Sequence, residues 1–133
     1  MTQQAAPTIY PTLRYDDAPA AIRFLTDAFG FHADAVHEEE GCISHALLGW
    51  GSGLVMLSSR RPHEPFDLGR CCLYVAVDDP DAHHARAKAA GAEIMMELTD
   101  QDYGSRDYAA RDPEGNVWCF GTYRPSRKPE ARL

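Results

Sequence analysis

Ile9-Tyr10-Pro11-Thr12-Leu13-Arg14-Tyr15-Asp16-Asp17 and Cys71-Cys72-Leu73-Tyr74-Val75-Ala76-Val77-Asp78-Asp79 follow one plan. Each is a short alternating run that predicts a strand, and each closes on an Asp-Asp corner. A helix pattern follows in both, ending at Gly30 and at Gly91. Asp17 and Asp79 suit the N-cap position, Pro19 and Pro80 fall in the first turn where a missing N–H is harmless, and the glycines suit the C-terminal cap. In the first helix Ala18, Ala21, Ile22, Leu25, Ala28 and Phe29 recur at helical spacing and predict one buried stripe. In the second, Ala82, Ala85 and Ala89 predict a small-residue stripe for close packing on a sheet.

Outward from these cores, turn residues cut the remaining chain into hairpins. The first half predicts strands over 33–38, 43–49 and 54–58, and the second over 92–98, 105–111 and 116–123, with a long polar loop through Tyr103 and Gly104. Each half is βαβββ. The expected organisation is one domain over 8–123, with module one at 8–59, a Pro- and Gly-containing connector at 60–70, module two at 71–123 and a basic tail at 124–133.

A chain of 133 residues suits a single domain. Lys and Arg number 13 against 20 Asp and Glu, a net charge of −7 that argues against nucleic acid and against anionic membranes as partners. No apolar run approaches the ~20 residues that span a bilayer, and Met1-Thr2-Gln3-Gln4 lacks the features of a signal peptide. The expectation is a cytoplasmic protein. Cys42, Cys71, Cys72 and Cys119 have neither CxxC spacing nor scaffold density, which predicts free thiols.

The tandem βαβββ plan, with Asp112-Pro113-Glu114-Gly115-Asn116 leading into an aromatic last strand and Tyr103-Gly104-Ser105-Arg106-Asp107-Tyr108 before it, resembles the vicinal oxygen chelate superfamily and its bleomycin-resistance-like branch. That group includes glyoxalase I, extradiol dioxygenases, fosfomycin-resistance enzymes and bleomycin-resistance binding proteins. The resemblance implies an α+β fold whose curled mixed sheets surround a cavity, with helices on the outer faces, and a homodimer. Alternation then sends Leu13, Leu73, Val75 and Val77 under the helices. Tyr10, Thr12, Arg14, Cys72, Tyr74 and Ala76 point into the cavity.

Metal-using relatives keep His, Gln or Glu near the start of each module's first strand and in its last strand. Carried over residue by residue, those positions are Tyr10, Met56, Cys72 and Cys119. A divalent ion binding substrate oxygens needs converging N and O donors, so this set implies no metal and no cofactor. Cys72 and Cys119 remain conceivable as a soft-metal pair, although free cysteine also packs as a small hydrophobe. The vicinal Cys71 and Cys72 face opposite sides of a strand.

Among the histidines, His83 and His84 are adjacent on a helix and are expected to point largely to solvent, while His32 and His37 flank an acidic hairpin. His45 alone falls in a central strand, as core, pocket wall or base. Trp118 and Phe120 alternate away from Cys119 and are expected as core. Trp50, in a glycine-rich hairpin, is expected at a rim or in an interface. Tyr103, Arg106 and Tyr108 belong near the cavity mouth by resemblance, Tyr for stacking on a planar ligand and Arg106 either as a ligand contact or as a partner of Asp102 or Asp107. No GxSxG elbow, P-loop or GxGxxG fingerprint occurs.

The candidate ligand-binding set is therefore Tyr10, Thr12, His45, Met56, Cys72, Tyr74, Tyr103, Arg106, Tyr108 and Cys119. The function it suggests is metal-free sequestration of a small organic molecule, cationic or aromatic, rather than catalysis. Two alternatives stay open: a metal-dependent lyase, isomerase or dioxygenase with atypical ligands, and a non-catalytic dimerisation or regulatory module.

Overall fold

The computed structural model describes residues 7, 9–61 and 69–125. Two four-stranded mixed sheets each carry one helix. Module one contains β1 (Thr12–Tyr15), α1 (Ala18–Phe29), β2 (His32–Glu39), β3 (Cys42–Trp50) and β4 (Gly53–Ser59). Module two contains β5 (Cys72–Ala76), α2 (Pro80–Ala89), β6 (Glu93–Asp100), β7 (Arg106–Arg111) and β8 (Val117–Gly121). The strand orders are β1-β4-β3-β2 and β5-β8-β7-β6, and the first strand of each module lies parallel to its last. Most of the connector and of the tail lies outside the described residues.

Local chemistry accounts for the helices. Asp17 Oδ1 accepts from Ala20 N at 3.1 Å, and Asp79 Oδ1 accepts from Ala82 N at 3.1 Å, so each satisfies an N–H that the first turn leaves unpaired. Gly30, at φ +80°, lets the chain leave α1 in the left-handed conformation. Ala18, Ala21, Ile22, Leu25, Ala28 and Phe29 are all buried, as their spacing predicts. The second helix departs from expectation. Its buried residues are Pro80, His83 and Ala87, while Ala82, Ala85 and Ala89 are exposed. Alanine is too weakly apolar to set a helix's rotation when larger side chains can be buried instead.

The modules meet through their helices, and the seam between them is aromatic. Phe29 lies 4.9 Å from Phe120 and Phe31 lies 5.3 Å from Trp118, ring centre to ring centre. Burying a phenylalanine side chain contributes roughly 2–3 kcal/mol, so this seam holds the two modules as one body. His83, expected toward solvent, is instead 8% exposed within it. Its Nε2 faces the Phe29 carbonyl at 2.7 Å and must therefore carry the proton, which leaves Nδ1 to accept from the Tyr108 hydroxyl at 2.5 Å. Both ring nitrogens are satisfied, and this permits the burial.

The Asp112–Asn116 turn fastens the far end. Asp112 is 3% exposed and accepts from Tyr15 Oη at 2.7 Å and Trp118 Nε1 at 3.1 Å. Glu114 reaches across to accept from the backbone N–H groups of Asp16 and Asp17 at 2.7 and 2.8 Å, just before α1. The motif that carries the family resemblance is thus a clip between modules.

Candidate functional site

A cleft of about 550 Å³ opens between the modules beside edge strand β5, a size suited to a small organic molecule. Leu54, Val75, Ala76 and Trp50 supply much of its wall with the buried Trp118 behind them, Tyr74 shares in the lining, and Asp78 and Arg124 contribute charge. Trp50 is fixed rather than loose at a rim. Its Nε1 donates to the Ala76 carbonyl at 2.9 Å, and its ring stands edge-on to His83 at 5.2 Å. Asp78 and Arg124 pair at 2.8 Å in the open, an interaction worth little by itself.

A larger groove of about 1200 Å³ runs along the Asp112–Gly115 turn. It is open and polar, and two of its arginines already have partners: Arg60 pairs with Asp16 at 3.0 Å and Arg111 with Glu93 at 2.7 Å. Volume alone does not make a binding site. The smaller cleft has the more apolar lining, with Trp50 and Tyr74 among its side chains, and is the better match to a small-molecule site.

Beside the cleft, Tyr74 also belongs to the sheet face turned away from α2. Alternation places Cys72, Tyr74 and Ala76 of β5 on that face, with Cys119 and Gly121 of β8 and Asp107 and Ala109 of β7. Asp107 is 6% exposed and accepts from the Ser105 hydroxyl and from Tyr103 Oη, the latter at 3.1 Å. Tyr74 Oη donates to the Tyr123 carbonyl at 2.6 Å, and the rings of Tyr103 and Tyr123 meet edge to face at 5.9 Å. Gly121 makes this assembly possible, because a Cβ there would run into both the Asp107 carboxylate and the Tyr74 hydroxyl.

The candidate residues fall into distinct neighbourhoods. Thr12 and Met56 are register partners on β1 and β4, and Tyr10 lies half-buried just before β1. His45 stacks on His37 at 6.3 Å across the β2–β3 ladder. Cys72 and Cys119 bring their sulfurs within 3.9 Å, and Cys71 turns its backbone and thiol to Asn116 on the opposite side. Burial, with Cys72 alongside, pushes the Cys119 thiol up to about 11.

Two placements need correction. Tyr108, expected at the cavity mouth, is fully buried beneath α2, because it shares the face of Phe120, its register partner. Arg106, expected as a ligand contact or as a partner of Asp102 or Asp107, instead reaches Asp81 at 2.7 Å and Asp100 at 3.1 Å. Asp107 and Tyr123 are absent from the candidate set. The signal for Asp107 was present in the sequence, since the alternation that buries Tyr108 under the helix turns its neighbour to the other face.

The sequence profile of the Glyoxalase/Bleomycin resistance protein/Dioxygenase superfamily matches residues 8–120, across both modules. The chain belongs to this superfamily. An uncharacterized protein from Mycobacterium bovis is 33% identical over 91% of this chain and 86% of its own length. Among solved structures, TioX from Micromonospora sp. ML1 superposes with a TM-score of 0.75 at 32% identity, covering 87% of this chain and 98% of TioX. A lactoylglutathione lyase from Agrobacterium tumefaciens shares the fold, with a TM-score of 0.66 at 21% identity over 90% of this chain and 95% of its own.

Metal-using members of the superfamily pose a test of fit. The positions that the sequence resemblance sets against those members' ligands offer a phenol at Tyr10, a thioether at Met56 and thiols at Cys72 and Cys119, one of them with raised proton affinity. Among the described residues, no three His, Cys, Asp or Glu side chains converge as ligands. The donor set does not suit a hard or borderline divalent ion that must also hold substrate oxygens.

Proposed function

We propose that this superfamily member binds and sequesters a small organic molecule in the inter-module cleft, without a resident metal. The observation that carries this proposal is the cleft itself: about 550 Å³, lined by Trp50, Leu54, Tyr74 and Val75, with a hydrogen bond holding Trp50 in place. A preformed aromatic wall suits a planar ligand, since little ordering is left for binding to impose. The mismatch between the donor set and a divalent ion favours binding over superfamily chemistry that runs through a metal. The working unit we propose is a homodimer, in which exposed apolar side chains such as Val36 and Met95 are covered by a second copy. Among the described residues no helix is long and apolar enough to cross a membrane, and the free cysteines suit the reducing cytoplasm.

The test is a fluorescence and thermal-shift titration with a panel of planar aromatic compounds. A ligand of this cleft quenches Trp50 emission saturably and, near 100-fold above its Kd, stabilises the fold by about 2.7 kcal/mol. The Trp50→Ala variant loses both effects. Binding that survives this substitution unchanged, or the absence of any saturable ligand across the panel, counts against the proposal.

A further inference from the structure

Asp107 is a carboxylate buried to 6% exposure whose described partners are hydroxyl groups, those of Ser105 and Tyr103. No ion pair neutralises it among the described residues. The nearby cations have other carboxylate partners: Arg106, its chain neighbour, reaches Asp81 and Asp100, and Arg124, next to Tyr123, pairs with Asp78 in the open, from where its charge still reaches Tyr74. A buried charge without an opposite charge is expensive to maintain. Here it lies beside three tyrosines that a monomer leaves partly exposed: Tyr74 at 41%, Tyr103 at 66% and Tyr123 at 52%. Tyr103 bonds Asp107 directly, Tyr74 bonds the Tyr123 backbone, and the Tyr103 and Tyr123 rings meet edge to face. Gly121 keeps open the space where the Asp107 carboxylate and the Tyr74 hydroxyl converge.

We infer that this face of module two is a subsite for an organic cation, with Asp107 as its counter-charge and the rings of Tyr74, Tyr103 and Tyr123 as its walls. Aromatic faces attract a desolvated ammonium through their quadrupoles, and a fixed carboxylate behind the rings adds a full negative charge that hydroxyl donors stabilise without cancelling. Tyr74 also lines the inter-module cleft, so one ligand can place its flat part against Trp50 and its charged part against the tyrosines. The subsite deepens the proposed ligand-binding function and, as one half of a single ligand's site, rests on it.

The test uses two probes of nearly equal shape, (4-hydroxyphenyl)trimethylammonium and its uncharged carbon analogue 4-tert-butylphenol, titrated calorimetrically into the full-length protein. The expected result is a cation preference of about tenfold or more. Asp107→Asn, which keeps the acceptor for Ser105 or Tyr103, reduces the preference to less than threefold by weakening the cation more than the neutral probe. Tyr103→Ala, which removes a largely exposed ring, also weakens the cation selectively. Glu39→Gln, in the distant β2–β3 hairpin, leaves the preference intact and so separates the subsite from the attraction of an overall negative protein. Equal affinities for the two probes in the parent protein overturn the subsite, and the cleft still stands if Trp50→Ala abolishes the neutral probe's binding. A cation preference that depends on Asp107 but ignores Trp50 supports the subsite and removes the cleft from the ligand's path. A preference that persists in both Asp107→Asn and Tyr103→Ala overturns the subsite.

Discussion

The Tyr15 hydroxyl at the end of β1 donates to Asp112 Oδ2 at 2.7 Å, joining the two modules across 97 residues of chain. The same carboxylate accepts from Trp118 Nε1, from Asn116 N and Nδ2 and from Glu114 N. Burial and the adjacent Asp112 charge push the Tyr15 phenol far above its usual range, so it remains a donor at any ordinary pH.

The two ends of this bond are unequal. Tyr15→Phe removes one donor from an acceptor that keeps several others, and is expected to cost about 1 kcal/mol. Asp112→Asn turns an amide NH₂ or a single carbonyl toward donors that need two acceptor oxygens and strands buried N–H and O–H groups, a loss of about 3 kcal/mol. Urea denaturation of both variants checks this. Equal shifts in midpoint would mean that the turn does not depend on its carboxylate.

How much of this could be read from the chain depends on whether the cause was local. The α1 stripe, its Asp17 cap and its Gly30 exit are properties of consecutive residues, and all appear as the pattern predicts. The burial of Trp118 and Phe120 against the outward turn of Cys119 follows from period two within one strand. The second helix escapes its own sequence pattern because its alanines and histidines give little apolar contrast, and because a histidine's burial depends on partners such as Phe29, 54 residues away. Asp112-Pro113-Glu114-Gly115 was legible as a turn and as a family mark. Its role as a clip was not, since its partners at Tyr15, Asp16 and Asp17 belong to the other module.

Gly121 shows the same division between local and distant causes. Nothing in its own strand requires a glycine, but Asp107 and Tyr74 occupy the space a methyl group would take. Gly121→Ala should therefore destabilise the protein by about 1–3 kcal/mol, as overpacking does, and should abolish any selectivity for cations at the tyrosine face. Thermal unfolding together with the two-probe titration checks both consequences. Unchanged stability would place the Asp107 carboxylate somewhere other than over Gly121.

Thiol chemistry should separate the cysteines. With its pKa raised to about 11 by burial and by Cys72, Cys119 is almost entirely thiol at pH 8 and half-buried besides, whereas Cys42 is exposed. The thiolate is the reactive form, so iodoacetamide should modify Cys119 at least tenfold more slowly than Cys42. Peptide mass mapping over a time course reads the two rates. Comparable rates would mean that the Cys72–Cys119 pair is not held within the face described.

His83 predicts how stability depends on pH. Burial lowers its pKa in the fold, with the nearby Arg86 charge acting in the same direction and the Phe29 carbonyl opposing. The groups packed on the ring are Tyr108, Phe29, Trp50 and Phe120, none of which supplies a negative charge. Protonation at Nδ1 would replace an acceptor with a donor and force the Tyr108 hydroxyl to reverse. Because the unfolded chain binds this proton more readily than the native state, the stabilisation is complete above the unfolded value of about 6.5 and is lost as pH falls below it toward the lower folded value. The slope in that window has its upper limit at about 1.4 kcal/mol per pH unit, the value for one whole proton. His83→Gln offers an N–H to Phe29 and an oxygen to Tyr108 without titrating. Urea midpoints at pH 7.5 and 5.5 should therefore diverge more in the parent protein than in this variant, and equal divergence in both would place the pH dependence elsewhere.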